Sequence, residues 1–137
     1  MSVMIAWQGD MRFQARTEDG HELPFDGTRE RGASPTEGLL AALAACMGID
    51  VVDILRKGRQ DVDRCDVEIA GERRMDPPRR FTSIRLEFRV AGRELSRPRV
   101  ERAVELSRST YCSVLHTLAP DIELDVSLTV EESPIPG

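Results

Sequence analysis

The chain has 137 residues, 40% apolar and 31% charged, which is the size and composition of one soluble globular domain spanning 1–137. A net charge of -5 and only 4% aromatic residues speak against a nucleic-acid partner. No unbroken run of eighteen apolar residues occurs, and the acids Asp10, Glu18, Asp19 and Glu22 interrupt the start of the chain, so neither a membrane span nor a secretory leader is expected.

Residues 3–7 and 11–17 alternate around Gln8-Gly9-Asp10 and predict a hairpin. After the Asp19-Gly20 turn, His21 to Phe25 predicts a third short strand. A charged loop over 26–34 leads into Ser34-Pro35-Thr36-Glu37, where an N-cap, a proline at N1 and an acid at N3 make a capping box. The helix that starts there is predicted to reach about Arg59. Its segment GLLAALAACMGI, Gly38 to Ile49, carries no charge for three turns. A lone surface helix shows a polar face, so this one is expected between a sheet and either a second helix or a partner subunit.

Residues 64–75 and 80–91 predict a long hairpin. In the second strand Ile84, Leu86, Phe88 and Val90 alternate with polar residues, the pattern of a sheet with one wet face. The arginines 73, 74, 79 and 80 flank its Met75-Asp76-Pro77-Pro78 turn and read as a solvated tip. Ser96 is predicted to cap a helix to about Ser107, and Thr110 a third short helix ending before Pro120. Alternating Ile122, Leu124, Val126, Leu128 and Val130 predict a last strand, and the tail 131–137 is expected to fray. The order reads as α+β with antiparallel sheet.

Three cysteines, at 46, 65 and 112, contain no CxxC, which speaks against a structural zinc site or a secreted disulfide framework and points to a cytoplasmic setting. Cys65 is placed by alternation on the apolar face with Val67 and Ile69. Cys46 lies within the uncharged helix, with Asp50 and Asp53 on its face, and is open to a packing role or to reactivity. With Thr110 as N-cap, Cys112 falls at N2, where free N–H groups favour a thiolate. His116 follows four residues on, so a Cys112–His116 pair for hydrolytic or acyl-transfer chemistry is a competing reading. Glu37 is open to two uses: closing the capping box, or fixing an arginine over the Cys46 thiol. Arg12, Arg16, Arg29 and Arg31 are the candidates for that arginine.

The segments Ser34-Pro35-Thr36-Glu37-Gly38-Leu39-Leu40, Ala44-Ala45-Cys46 and Tyr111-Cys112-Ser113-Val114 resemble the OsmC/Ohr family of osmotically induced and organic hydroperoxide resistance proteins, and within it the smaller YhfA-like subgroup. The resemblance covers almost the whole chain. It implies an α+β fold with antiparallel sheets wrapped around central buried helices in an intertwined homodimer. It implies thiol-dependent reduction of organic hydroperoxides, in which Cys46 attacks the O–O bond and becomes a sulfenic acid and Cys112 resolves it as a disulfide. Arg12 and Glu37 would assist Cys46, and a lipoyl-type or other dithiol would regenerate the pair. No metal, haem or flavin is implied. In the typical branches the assisting carboxylate directly follows the helix-start proline. Here Thr36 stands there and Glu37 comes one residue later, a rotation of about 100° around a helix. An apolar pocket lined by Leu43, Met47 and Val114 is expected to favour alkyl or lipid hydroperoxides over H₂O₂. The alternatives are a redox-sensing or small-molecule-binding dimer without efficient turnover, and a structural dimer with inert cysteines.

Overall fold

A computed structural model describes residues 1–134; the end of the tail expected to fray, 135–137, lies outside the described residues. The chain divides into two compact units, Met1–Ala41 and Ala42–Gly137, with the boundary inside the first helix.

The first unit is a three-stranded antiparallel meander of β1 (Val3–Trp7), β2 (Arg12–Thr17) and β3 (Glu22–Asp26), followed by the start of helix α1 (Pro35–Lys57). Cross-strand partners share a face. The register Ile5↔Ala15↔Leu23 and Trp7↔Phe13↔Phe25 therefore gathers the apolar residues on one side. Arg12, Gln14 and Arg16 take the other side with Glu22 and Asp26. The apolar side is largely open to solvent: Trp7 is 66% exposed, and Val3, Ile5, Phe13 and Leu23 are also exposed. The buried Asp26 carboxylate organises the following loop. It accepts from the Thr28 hydroxyl at 2.7 Å and from the amides of Thr28 and Arg31. Those bonds, the Thr28 hydroxyl first, hold its pKa below the usual carboxylate value. Gly38 permits a close approach, since a Cβ there would stand 2.6 Å from the Phe25 ring.

The second unit holds the rest of α1, then β4 (Asp61–Arg73), β5 (Phe81–Arg93), α2 (Arg97–Leu106), a π-helical turn (Ser107–Tyr111), α3 (Ser113–Thr117) and β6 (Glu123–Glu132). In the sheet order β4-β5-β6 the central strand is β5, and its Ile84, Leu86, Phe88 and Val90 are buried as the alternation predicts. With Met47, Val51 and Leu55 of α1 and Val100 and Ala103 of α2 they form the core of this unit. The helix α1 ends two residues earlier than expected. Arg59 adopts a left-handed φ of 60°, and the Gln60 amide reaches back to the Leu55 carbonyl at 2.9 Å, a Schellman-type stop.

Three expectations need correction. The second sheet is mixed, not antiparallel, because β6 runs parallel to β5 from Ser83↔Glu123 to Gly92↔Glu132. The long helical connection through α2 and α3 lets the chain re-enter the sheet in the same direction, which a short turn cannot do. Second, Glu131 and Glu132 do not fray but close the last strand. Third, α1 is long and apolar enough to cross a membrane by length and composition, so the absence of an unbroken apolar run did not exclude such a helix. Its Leu43, Met47, Val51 and Leu55 are buried within this chain, while most of the apolar stretch is not.

Gly92 in the second sheet leaves no room for a side chain. A Cβ there would overlap the Asp61 carbonyl of the paired strand and stand 2.9 Å from the Leu95 side chain. Backbone cannot yield as a flexible side chain does, so Gly92→Ala is expected to destabilise by about 1–3 kcal/mol or more. Urea unfolding checks this, and an unchanged midpoint contradicts it.

Candidate active site

Helix α1 starts as its sequence demands. The Ser34 hydroxyl accepts from the Glu37 amide at 3.2 Å, and the Glu37 carboxylate accepts from the Ser34 amide at 3.0 Å, a complete capping box. The Ser34 amide, then its hydroxyl, keep the Glu37 carboxyl below its usual pKa. Arg12, across the strands from Asp26, donates from Nη2 to the Gln8 carbonyl at 3.3 Å. Both Glu37 and Arg12 are thus engaged within the first unit.

In the second unit α1 carries Cys46 and Asp50 one turn apart, both half-buried. The chain returns to them after α2, where the π-helical turn shifts the register; such turns recur at functional sites. Ser107 opens that turn, fully buried, and donates its hydroxyl to Asp50 Oδ2 at 2.9 Å. The Cys112 amide in turn donates to the Ser107 carbonyl at 2.9 Å. Cys112, fully buried, comes to rest beside Cys46. The two Sγ atoms and an Asp50 carboxylate oxygen all lie within 4.8 Å of one another.

Cys112 does not sit at N2 under a Thr110 cap. It is itself the N-cap of α3, and its Sγ accepts from the Leu115 amide at 3.4 Å. The expected thiolate is not favoured either. Burial first, with the Cys46 thiol and the Asp50 carboxylate adding to it, pushes the Cys112 thiol up to about 11 against the pull of the Leu115 N–H. His116 is exposed, with Nε2 bonded to the Arg108 carbonyl at 3.1 Å. Cys65, half-buried, keeps the apolar side of β4 with Val67, and burial raises its pKa.

The pocket expectation changes as well. Leu43 and Met47 are core residues without exposure. The open apolar surface of α1 lies on its other flank instead. There Ala45, Ile49, Cys65 and Val67 line a groove of about 610 Å³ together with the charged Asp53 and Arg56; neither Cys46 nor Cys112 lines it, and Ile49 is 68% exposed.

A thiol whose pKa is higher folded than unfolded contributes stability below its unfolded value and loses it as pH rises through the folded one. In reduced protein, the stability difference between wild type and Cys112→Ala is expected to hold steady up to about pH 9. It should shrink between about pH 9 and 11. Chemical unfolding at stepped pH reads this, and a pH-independent difference contradicts the buried neutral thiol.

Residues 26–127 match the family described as OsmC-like protein. Protein YhfA of Escherichia coli (strain K12) is 41% identical over 131 residues, covering 95% of this chain and 98% of that protein. The crystal structure of a hypothetical protein from Aquifex aeolicus VF5 superposes with a TM-score of 0.88 at 30% identity, covering 97% of each chain. The organic hydroperoxide resistance protein OhrB of Bacillus subtilis superposes with a TM-score of 0.64 at 18% identity, over 94% of this chain and 98% of that one, a likeness of fold. With a family match across most of its length and a relative so similar end to end, the chain belongs to the OsmC-like family.

Proposed function

We propose that this protein is a thiol-dependent peroxidase that reduces organic hydroperoxides in the bacterial cytoplasm. The observation that carries the reading is the approach of the Cys46 and Cys112 sulfurs, on segments far apart in sequence, to within 4.8 Å. Disulfide formation requires such an approach, closing to about 2.05 Å. Cys46 is the more accessible of the two and is assigned the attack. Its thiolate displaces alkoxide from the O–O bond, the alkoxide takes a proton from water, and Cys46 becomes a sulfenic acid. Cys112 then attacks that sulfur. Its proton and the departing hydroxide leave as water, and the disulfide remains. A dithiol of lipoyl type or another small dithiol returns both thiols by exchange. Arg12 is the cation this reading assigns to the Cys46 thiolate. Glu37 is assigned first to the helix cap that it visibly closes.

The working unit in this reading is a homodimer. The exposed Trp7 and Phe13 of the first unit and the exposed Ile49 of the second are large apolar side chains of the kind a second copy covers. The largely apolar groove on α1, lined by Ala45 next to Cys46 in the chain, is the basis for assigning alkyl or lipid hydroperoxides over H₂O₂ as substrates.

A redox-sensing dimer with slow turnover is the second reading. The buried Cys112 thiol favours it, because burial, with Asp50 adding to it, raises the pKa of that thiol and slows closure of the disulfide.

Intact mass after one equivalent of cumene hydroperoxide tests the proposal. Wild type is expected to lose about two mass units and Cys112→Ser to gain about sixteen, the marks of a disulfide and of a trapped sulfenic acid. Cys46→Ser should show neither change. No fast change in wild type contradicts the peroxidase, and hydroperoxide consumption no faster than by free cysteine selects the sensor.

A further inference from the structure

Asp50 is unexplained by peroxidase chemistry. A carboxylate next to the resolving thiol adds to the burial that opposes the Cys112 thiolate. Yet it is held in place: its Oδ2 accepts from the buried Ser107 hydroxyl at 2.9 Å, and among the described residues it forms no ion pair. The cluster gathers two thiols and a carboxylate, and the carboxylate's hydrogen-bond partner there is a neutral hydroxyl. Such a set of donors suits a metal cation.

We propose that, in the reduced protein, Cys46, Asp50 and Cys112 form a binding site for one thiophilic divalent cation of the zinc type. Two thiolates and a carboxylate are a donor set for such a d¹⁰ ion, and sulfur disfavours magnesium and calcium. With Zn–S bonds near 2.3 Å, two thiolates on one zinc stand about 3.8 Å apart. Donor atoms already within 4.8 Å reach this by side-chain rotation. Cys46 and Asp50, one helical turn apart, present two ligands from one face, and Cys112 supplies the third from the N-cap of α3. The surrounding groups suit the site. The Ser107 hydroxyl orients the carboxylate, and the Leu115 amide donates to the Cys112 sulfur at 3.4 Å. Cys112 closes the inner side, while the half-buried Cys46 and Asp50 leave a fourth position to water. Binding forms two metal–sulfur bonds and releases the two thiol protons to solvent, with no change of oxidation state. The disulfide uses the same two sulfurs, so metal binding and oxidation exclude each other. The site rests on the same cysteine pair as the peroxidase reading but does not depend on turnover.

The test is a Cd²⁺ titration of the reduced full chain, followed by thiolate-to-cadmium ultraviolet absorption and by native mass, then repeated with Zn²⁺. One ion per chain is expected, lost in Cys46→Ser, in Cys112→Ser and in disulfide-oxidised wild type. Ser107→Ala removes no ligand and is expected to weaken binding about 10–100-fold. Asp50→Asn should weaken it by at least as much, and Cys65→Ser should leave it unchanged. Circular dichroism confirms that each variant is folded, and Ser107→Ala keeps the proposal testable should Cys112→Ser not fold. No ion on the reduced chain, binding that survives Cys46→Ser, or binding that disappears with Cys65→Ser overturns the site. Hydroperoxide treatment of the metal-free chain reports separately on the peroxidase: an ion bound without sulfenic acid formation supports the site and removes only that reading.

Discussion

A hydrogen bond of 2.9 Å from the buried Ser107 hydroxyl to the Asp50 carboxylate ties the π-helical turn after α2 to the middle of α1. The placement of Cys112 follows from it. The Ser107 carbonyl receives the Cys112 amide, Cys112 caps α3, and its sulfur is delivered to Cys46 on the same face of α1 as Asp50. Ser107 is fully buried and Asp50 half-buried, so losing the bond would leave the hydroxyl without a ready solvent partner. The same bond brings a carboxylate to a pair of thiols. The site is therefore a compromise between ease of ionisation and a fixed sulfur-to-sulfur approach, and the raised pKa of Cys112 is its signature.

The helix that carries the site has two different flanks. Leu43, Met47, Val51 and Leu55 complete the core with the wet-faced sheet of β4, β5 and β6. Ala45 and Ile49 are left uncovered by this chain. That division accounts for a stretch with no charge for three turns, which one core of this size covers on one side only. It also accounts for why composition alone makes α1 pass for a membrane helix. In the first unit the row Trp7, Phe13, Phe25 makes the same point, as an apolar sheet face with much of its area in water.

Much of the fold was legible because it is set by local rules. Ser34, Pro35 and Glu37 announce the start of α1, and the alternation of β5 gives its buried face residue by residue. The direction of β6 was not legible, since an alternating strand reads the same whichever way it pairs. Nor was the cap of α3: Thr110 is a good N-cap by type, but a π-helical turn moves the register so that Cys112 takes that place. Of the site, the i, i+4 spacing of Cys46 and Asp50 was visible. Ser107 was not, because its partner lies 57 residues away and no local pattern links them. Glu37 was legible from the capping box, while the choice of Arg12 among four arginines came from the resemblance; their visible bonds are to Ser34 and Gln8.

The account stands on Cys46 and Cys112 being an intrachain couple held by the fold. Peptide mapping of the chain equilibrated in glutathione buffers of stepped ratio, under non-reducing conditions, tests that most directly. The account predicts one Cys46–Cys112 bridge, formed in a single transition, with Cys65 remaining a free thiol throughout. Bridges that involve Cys65, or glutathione left on Cys46 while Cys112 stays reduced, would contradict it.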